Sequence, residues 1–213
     1  TASGVSYSWG LPVSTGQSTG ISAISLQTVT PSSSSASAGQ AMTISTSGRF
    51  TVTVDGSSPS YSIAAGGTSG NLLAVFKLHA TGEAINLQKF SMQLSDTDHS
   101  SASDLTSSGS NGAQITLWDS AGNKVGSATF TGSNTKTTST LSVDFIIPKD
   151  ADKLLIVKGD LSAIGPSSAV TMSGDFIAMD YDGNDSTGTQ GRGVSSGTLI
   201  NQSSPLDTTI RAI

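Results

Sequence analysis

The chain has 213 residues, of which 12% are charged, a net charge of −5 and no cysteine. That length suits one large all-β domain or two small ones, and the missing cysteines exclude disulfides, thiolate catalysis and cysteine-bound metals. No basic cluster marks a nucleic-acid or anionic-membrane surface, and no apolar run approaches the roughly 18 residues of a membrane-spanning helix.

Period-two alternation recurs along the chain, and no run with the helical period of 3.6 stands out. The first element is VSYSWGLPV, in which Val5, Tyr7, Trp9, Leu11 and Val13 occupy every second position. An extended strand of this pattern has one large apolar face and one small polar face. Pro12 has no N–H to give to a ladder, so the far end of the strand belongs at an edge. Residues 14–20 read as a Ser/Gly connector, ISAISLQTV (21–29) as a strand, and PSSSSASAGQ (31–40) has linker composition. RFTVTVD (49–55) alternates with Phe50, Val52 and Val54 on one face, and AAGGTSG (64–70) is a turn.

NLLAVFKLHA and EAINLQKFSMQLSD read as a hairpin across Thr81-Gly82. Apolar parity changes between Leu87 and Phe90, which predicts a β-bulge or a strand that changes sheets. DTDHSSASDLTSSGSNG (96–112) is a polar loop, and AQITLWD with KVGSATF forms a second hairpin about residues 120–123. LSVDFII places Leu141, Val143, Phe145 and Ile147 on one face and ends at Pro148; DKLLIVKGDL is dense enough for a central strand. AVTMSGDFIAMDYD, TLI and LDTTIRAI complete the series. About ten to twelve short strands at this spacing predict an antiparallel β-sandwich, immunoglobulin-like or jelly-roll-like, with an extended N-terminal arm. The expected division is an arm and connector over 1–40 and a sandwich domain over 41–213.

Candidate chemistry is sparse. His79 falls on a strand beside Lys77 in parity, and His99 sits in a polar loop near Asp96 and Asp98. GVSSG (193–197) fits the pattern of a nucleophile elbow around Ser195, but that turn needs a following helix and a histidine partner, and neither follows. Glu83 is the single glutamate, so a glycosidase pair would have to be built from aspartates. No enzyme is expected. MDYDGNDSTG (179–188) sets Asp180, Asp182 and Asn184 at alternate positions with Asp185 next. A hard-cation loop would use such oxygens, with calcium the candidate ion. The formal EF-hand fails, because Asp185 stands where glycine is needed and Gly191 where glutamate is needed. Asn184 and Asn201 each open an N-glycosylation sequon.

The stretches LLAVFKLHATGEAINLQKFSMQLSD, ITLWDSAGNKVGSATF and IPKDADKLLIVKGDLSAI resemble a β-sandwich module of surface and extracellular-fibre proteins of bacteria and archaea. The resemblance covers about half the chain and implies a structural or adhesive unit at the cell surface. The opening strand on its connector is similar to the donor strands of fibres built by strand complementation, in which one subunit completes the sheet of the next. From these the expected function is a structural subunit of an extracellular filament, pilus-like fibre or surface layer. It would polymerise by inserting Val5, Tyr7, Trp9, Leu11 and Val13 into a neighbouring copy. The alternative is a carbohydrate-binding or adhesive module of a larger surface protein, with its ligand near Trp118 or the 96–112 loop.

Overall fold

The computed structural model divides into two compact units, Thr1–Thr46 and Ser47–Ile213. It describes residues 47–60, 62–95, 102–105, 113–131, 136–164, 173–183, 185, 187–201 and 211–212, and six two-residue strands before residue 44.

In the first unit, Ser6–Tyr7 pairs antiparallel with Met42–Thr43, Gly10–Leu11 with Ser37–Ala38, and Gly20–Ile21 with Thr28–Val29. The partners in all three ladders mirror one another about the same point in the sequence to within one residue, a pattern that a single hairpin register generates. Two readings of the sequence change here. ISAISLQTV is not one strand, because its two ends pair with each other. The supposed linker PSSSSASAGQ contributes Ser37 and Ala38 to a ladder, since backbone pairing does not require a large side chain. Of the predicted plug residues, Tyr7 and Leu11 lie in these ladders, whereas Val5, Trp9 and Val13 lie outside the described residues.

The second unit is all-β. Its strands are β1 (Arg49–Val54), β2 (Asn71–Thr81), β3 (Ile85–Ser95), β4 (Ala113–Asp119), β5 (Lys124–Phe130) and β6 (Lys136–Ile147), then β7 (Asp152–Gly159), β8 (Ala178–Tyr181), β9 (Gln190–Gly193), β10 (Leu199–Asn201) and β11 (Arg211–Ala212). No α-helix occurs among the described residues; one 3₁₀ turn spans Ala102–Asp104. Every ladder is antiparallel, in the order β10-β9-β3-β6-β5-β4-β7-β2-β1, with β8 also on β3 and β11 on β8. The last strand in this order comes back beside the first without a ladder joining them. The sheet is therefore one curled, nearly closed barrel-like layer.

Alternation explains the simplest strands. Phe50 and Val52 of β1 are buried between exposed Arg49, Thr51 and Thr53, and Ile115 and Leu117 of β4 face the core in the same way. The β4–β5 hairpin forms as expected. Asp119 accepts hydrogen bonds from the N–H groups of Ala121 (3.0 Å) and Asn123 (2.8 Å), and Gly122 takes the left-handed φ of 86° that closes the turn. The bonds from Asn123 hold the Asp119 carboxyl below its ordinary range.

The expected hairpin between β2 and β3 does not form. β2 pairs with β1 and β7, and β3 pairs with β6, β8 and β9. The reason is core burial. Phe76 of β2 and Phe90 of β3 are both fully buried and meet with ring centroids 5.2 Å apart, so the two strands stand on facing walls. Gly82, at φ 90°, turns the chain across the core instead of back along the same wall. Tyr181 of β8 completes the group, 5.3 Å from Phe90 and 6.3 Å from Phe76.

The parity change in β3 is a bulge at Gln88. Leu87 and Lys89 pair with the adjacent Gly191 and Gln190 of β9, leaving Gln88 as the extra residue. On the other edge, the same two residues pair with Phe145 and Thr140 of β6, so residues 141–144 leave the β3 ladder altogether. That detour overturns the expected single face of LSVDFII: Phe145 and Ile147 are buried, but Val143 is 52% exposed. Leu141 instead meets Gly126 of β5. The 96–112 loop is not polar throughout its described part either, because Leu105 is buried and bridges Leu161.

Candidate functional site

Two groups of polar side chains are organised by the barrel wall. The first lies where β8 runs into the 182–189 turn against β3 and β6. Asp180 and Asp182 are both buried. The Asp182 N–H donates to the Ser91 carbonyl (3.2 Å), and Lys136 Nζ donates to Asp182 Oδ1 at 3.1 Å. Lys136 is 49% exposed while the Asp182 carboxylate is 3% exposed, so the ammonium reaches down to a carboxylate that water hardly touches. Asp185 folds onto its own turn, where Oδ1 accepts from the Thr187 N–H and hydroxyl, each at 2.9 Å. These bonds hold its carboxyl below the usual aspartate range.

Asp182 and Asp185 border an open cleft of about 500 Å³ with Ser91, Lys136, Thr137 and Thr138. Of the predicted cation ligands, the structure thus brings Asp182 and Asp185 to one cleft and buries Asp180 in β8; Asn184 lies outside the described residues. No three carboxylate or histidine side chains converge among the described residues, and the cation that faces Asp182 is the Lys136 ammonium. Burial pushes the Tyr181 phenol upward, against the opposing bond from Thr189, so this ring stays neutral. Removing the ammonium with Lys136→Ala should destabilise the body by about 1–3 kcal/mol, because a buried carboxylate loses a charge-assisted bond. The shift in urea midpoint at pH 7 measures it.

The second group centres on Glu83, the single glutamate, which is 9% exposed. Its Oε1 accepts from the Gly48 N–H (2.7 Å) and the Ser196 hydroxyl (2.8 Å), and its Oε2 from the N–H groups of Ser195 (3.1 Å) and Ser196 (2.9 Å). Burial works against ionisation, yet the donors from Ser196, Gly48 and Ser195 outweigh it and hold the carboxyl below the ordinary glutamate value. The residues of GVSSG form the β9–β10 turn, with Gly197 at φ 68° and the Arg192 guanidinium donating to the Gly197 carbonyl at 2.6 Å. A Cβ at Gly193 would strike Glu83 Oε1 and Ser196 Oγ, which is why glycine stands there. Ser195 therefore sits in a strand–turn–strand, and its N–H serves the carboxylate.

The remaining candidates are placed singly. His79 Nδ1 lies 2.6 Å from Asp152 Oδ1 on an exposed part of β2, and His99 falls outside the described residues. Trp118 donates its indole N–H to Thr116 (2.9 Å), and Lys158 Nζ stands over its ring at 4.9 Å, so one ring face is already covered. Asn201 accepts from the Gln190 side chain at 3.0 Å on the β9–β10 ladder. Sequence reading missed the Glu83 group entirely. The available signal was a lone glutamate in a chain of low charge, followed far along the sequence by a glycine-rich turn with free N–H groups.

Comparison of the chain with protein-family models, curated proteins and solved structures returns no match.

Proposed function

We propose that the protein is a structural subunit of an extracellular filament, pilus-like fibre or surface layer, and that its copies join through the N-terminal strand. We read the body as a sandwich-like module of immunoglobulin or jelly-roll kind, its facing walls pressed together through Phe76 and Phe90. The observation that carries the reading is the first unit itself. Residues 1–46 form a separate compact unit of short ladders, and its leading strand carries an apolar residue at every second position from Val5 to Val13. Two strands alone are marginal in water. Among the described residues, the pairs of Ser6–Tyr7 with Met42–Thr43 and of Gly10–Leu11 with Ser37–Ala38 use one edge of the leading strand, and the proposal gives its second edge to a neighbour's sheet. Burying Val5, Tyr7, Trp9, Leu11 and Val13 there would supply on the order of 8–12 kcal/mol before the entropy of association. Such a head-to-tail contact does not close on itself and so propagates.

Deleting residues 1–13 tests this. The full chain is expected to form filaments or sheets visible by negative-stain electron microscopy, and the truncated chain to sediment as a folded monomer. Normal assembly of the truncated chain would overturn the proposal.

A further inference from the structure

We propose that a groove along the outer face of β3 and β6 binds a neutral, extended polysaccharide chain. The inference goes beyond the filament reading and does not depend on it. Beside the cleft that Asp182 and Asp185 border lies a second open cleft of about 570 Å³, between residues 86–89 of β3 and 140–144 of β6. The register joins the two. Ser91 stands opposite Thr138 and Lys89 opposite Thr140, so the clefts occupy consecutive outward positions on the same pair of strands. The Ser91 and Thr138 hydroxyls lie 3.1 Å apart on that face, while Phe90 and Ser139, the pair between these two, are fully buried. Together the clefts follow β6 from Lys136 to Asp144, about 25 Å at the usual strand rise.

The lining excludes most occupants. A peptide strand has no edge to join, because β6 is laddered to β5 and β3, and β3 to β8 and β9 on its far side. Where the β3–β6 ladder opens, Asn86 bridges the gap. Its Nδ2 donates to Asp144 Oδ1 (2.8 Å) and its Oδ1 accepts from the Phe145 N–H (3.2 Å). A polyanion meets three carboxylates, Asp144, Asp182 and Asp185, against the ammonium groups of Lys89 and Lys136, in a chain of net charge −5. A cationic chain fares no better, since those carboxylates already accept bonds from Asn86, Lys136 and Thr187. A lipid or an apolar helix finds only Val143, 52% exposed, and half-buried Leu141 to pack on.

What the groove does offer is hydroxyl and amide. Thr138, Thr140 and Gln88 are exposed along it, and each can donate and accept. Such groups match the ring hydroxyls of a sugar, while Val143 gives the C–H face of a ring an apolar contact. The linear course of the groove along one strand pair selects a ribbon-like chain, as in cellulose or chitin, over a helical one, as in amylose.

Calorimetric titration of the full chain with hexasaccharides at millimolar concentration tests this. Cellohexaose or N-acetylchitohexaose is expected to bind. Maltohexaose, a neutral hexamer on a helical chain, should bind several-fold more weakly, and hexagalacturonate, an anionic one, more weakly still. The double variant Thr138→Val/Thr140→Val keeps exposed β-branched side chains and hence the strand, but removes two hydroxyls. It should weaken binding on the order of tenfold. Gln88→Ala, at the bulge, should weaken it about fivefold, and Thr51→Val, on the exposed face of β1, should leave it unchanged. Failure of both cellohexaose and N-acetylchitohexaose to bind would overturn the proposal. So would hexagalacturonate or maltohexaose as the tightest ligand, because either contradicts the chain class. Binding that survives both the threonine double variant and Gln88→Ala unchanged would place the sugar elsewhere and overturn the groove.

Discussion

Glu83→Gln is expected to lower the stability of the body by about 2–4 kcal/mol at pH 7. The substitution keeps the side-chain volume but leaves one carbonyl oxygen where two carboxylate oxygens accept four bonds. Whichever way the amide turns, its NH₂ faces at least one backbone N–H, and that donor is left unsatisfied in a site 9% exposed. The pH dependence has a definite sign. The folded carboxyl titrates below its ordinary value, so the native state binds the proton less readily than the unfolded chain does. Its contribution is complete above the unfolded value of about 4.3 and is lost as pH falls through the lower, folded value. The gap in urea midpoint between wild type and variant should therefore be constant from pH 7 to about pH 5 and should close below pH 4. A gap that widened on acidification would contradict the assignment of those four bonds to an ionised carboxylate.

Phe90→Ala is expected to cost about 3–5 kcal/mol, the range for deleting a buried aromatic ring from a well-packed core. Phe90 is fully buried between Phe76 and Tyr181, so its loss removes contacts that join β3 to β2 and to β8 together. Phe90→Leu, which refills most of the volume, should cost well under half as much. Thermal or urea unfolding followed by tyrosine and tryptophan fluorescence distinguishes the two, and a Phe90→Ala loss below about 1 kcal/mol would mean that the facing walls are not coupled through this ring.

Strand existence was largely legible because alternation is a local property. Phe50 and Val52 face the core as their spacing predicts, AQITLWD and KVGSATF pair as a hairpin, and the dense run of β7 lies between β4 and β2 as a central strand. The bulge at Gln88 was legible for the same reason, since a parity change needs no knowledge of the partner strand. Pairing was not. β2 and β3 carry a good hairpin pattern, but Phe76 and Phe90 gain more by facing one another across the core than by lying in one wall. β9, with the sequence QGRG, has no strand propensity to read. It is in the sheet because glycine allows the backbone to approach Ile85 and Leu87, where a Cβ at Gly191 would lie 2.6 Å from the Ile85 side chain. At the cation loop, sequence spacing brought Asp180, Asp182 and Asp185 to notice, yet it carried no information about Lys136, which arrives from a different strand and occupies Asp182. The Glu83 group was invisible for a related reason: three of its four donor atoms are backbone N–H groups, which every residue type but proline possesses.

The position of Gly48 has a mechanical consequence. Any tension carried along the N-terminal segment enters the body through residues 47 and 48, where the Gly48 N–H is linked to Glu83 at 2.7 Å. The six antiparallel pairs of β1 with β2 lie immediately behind it. A pull on this subunit is therefore borne in part by a charge-assisted bond that acid weakens, so the force needed to begin opening the body should fall as the medium acidifies.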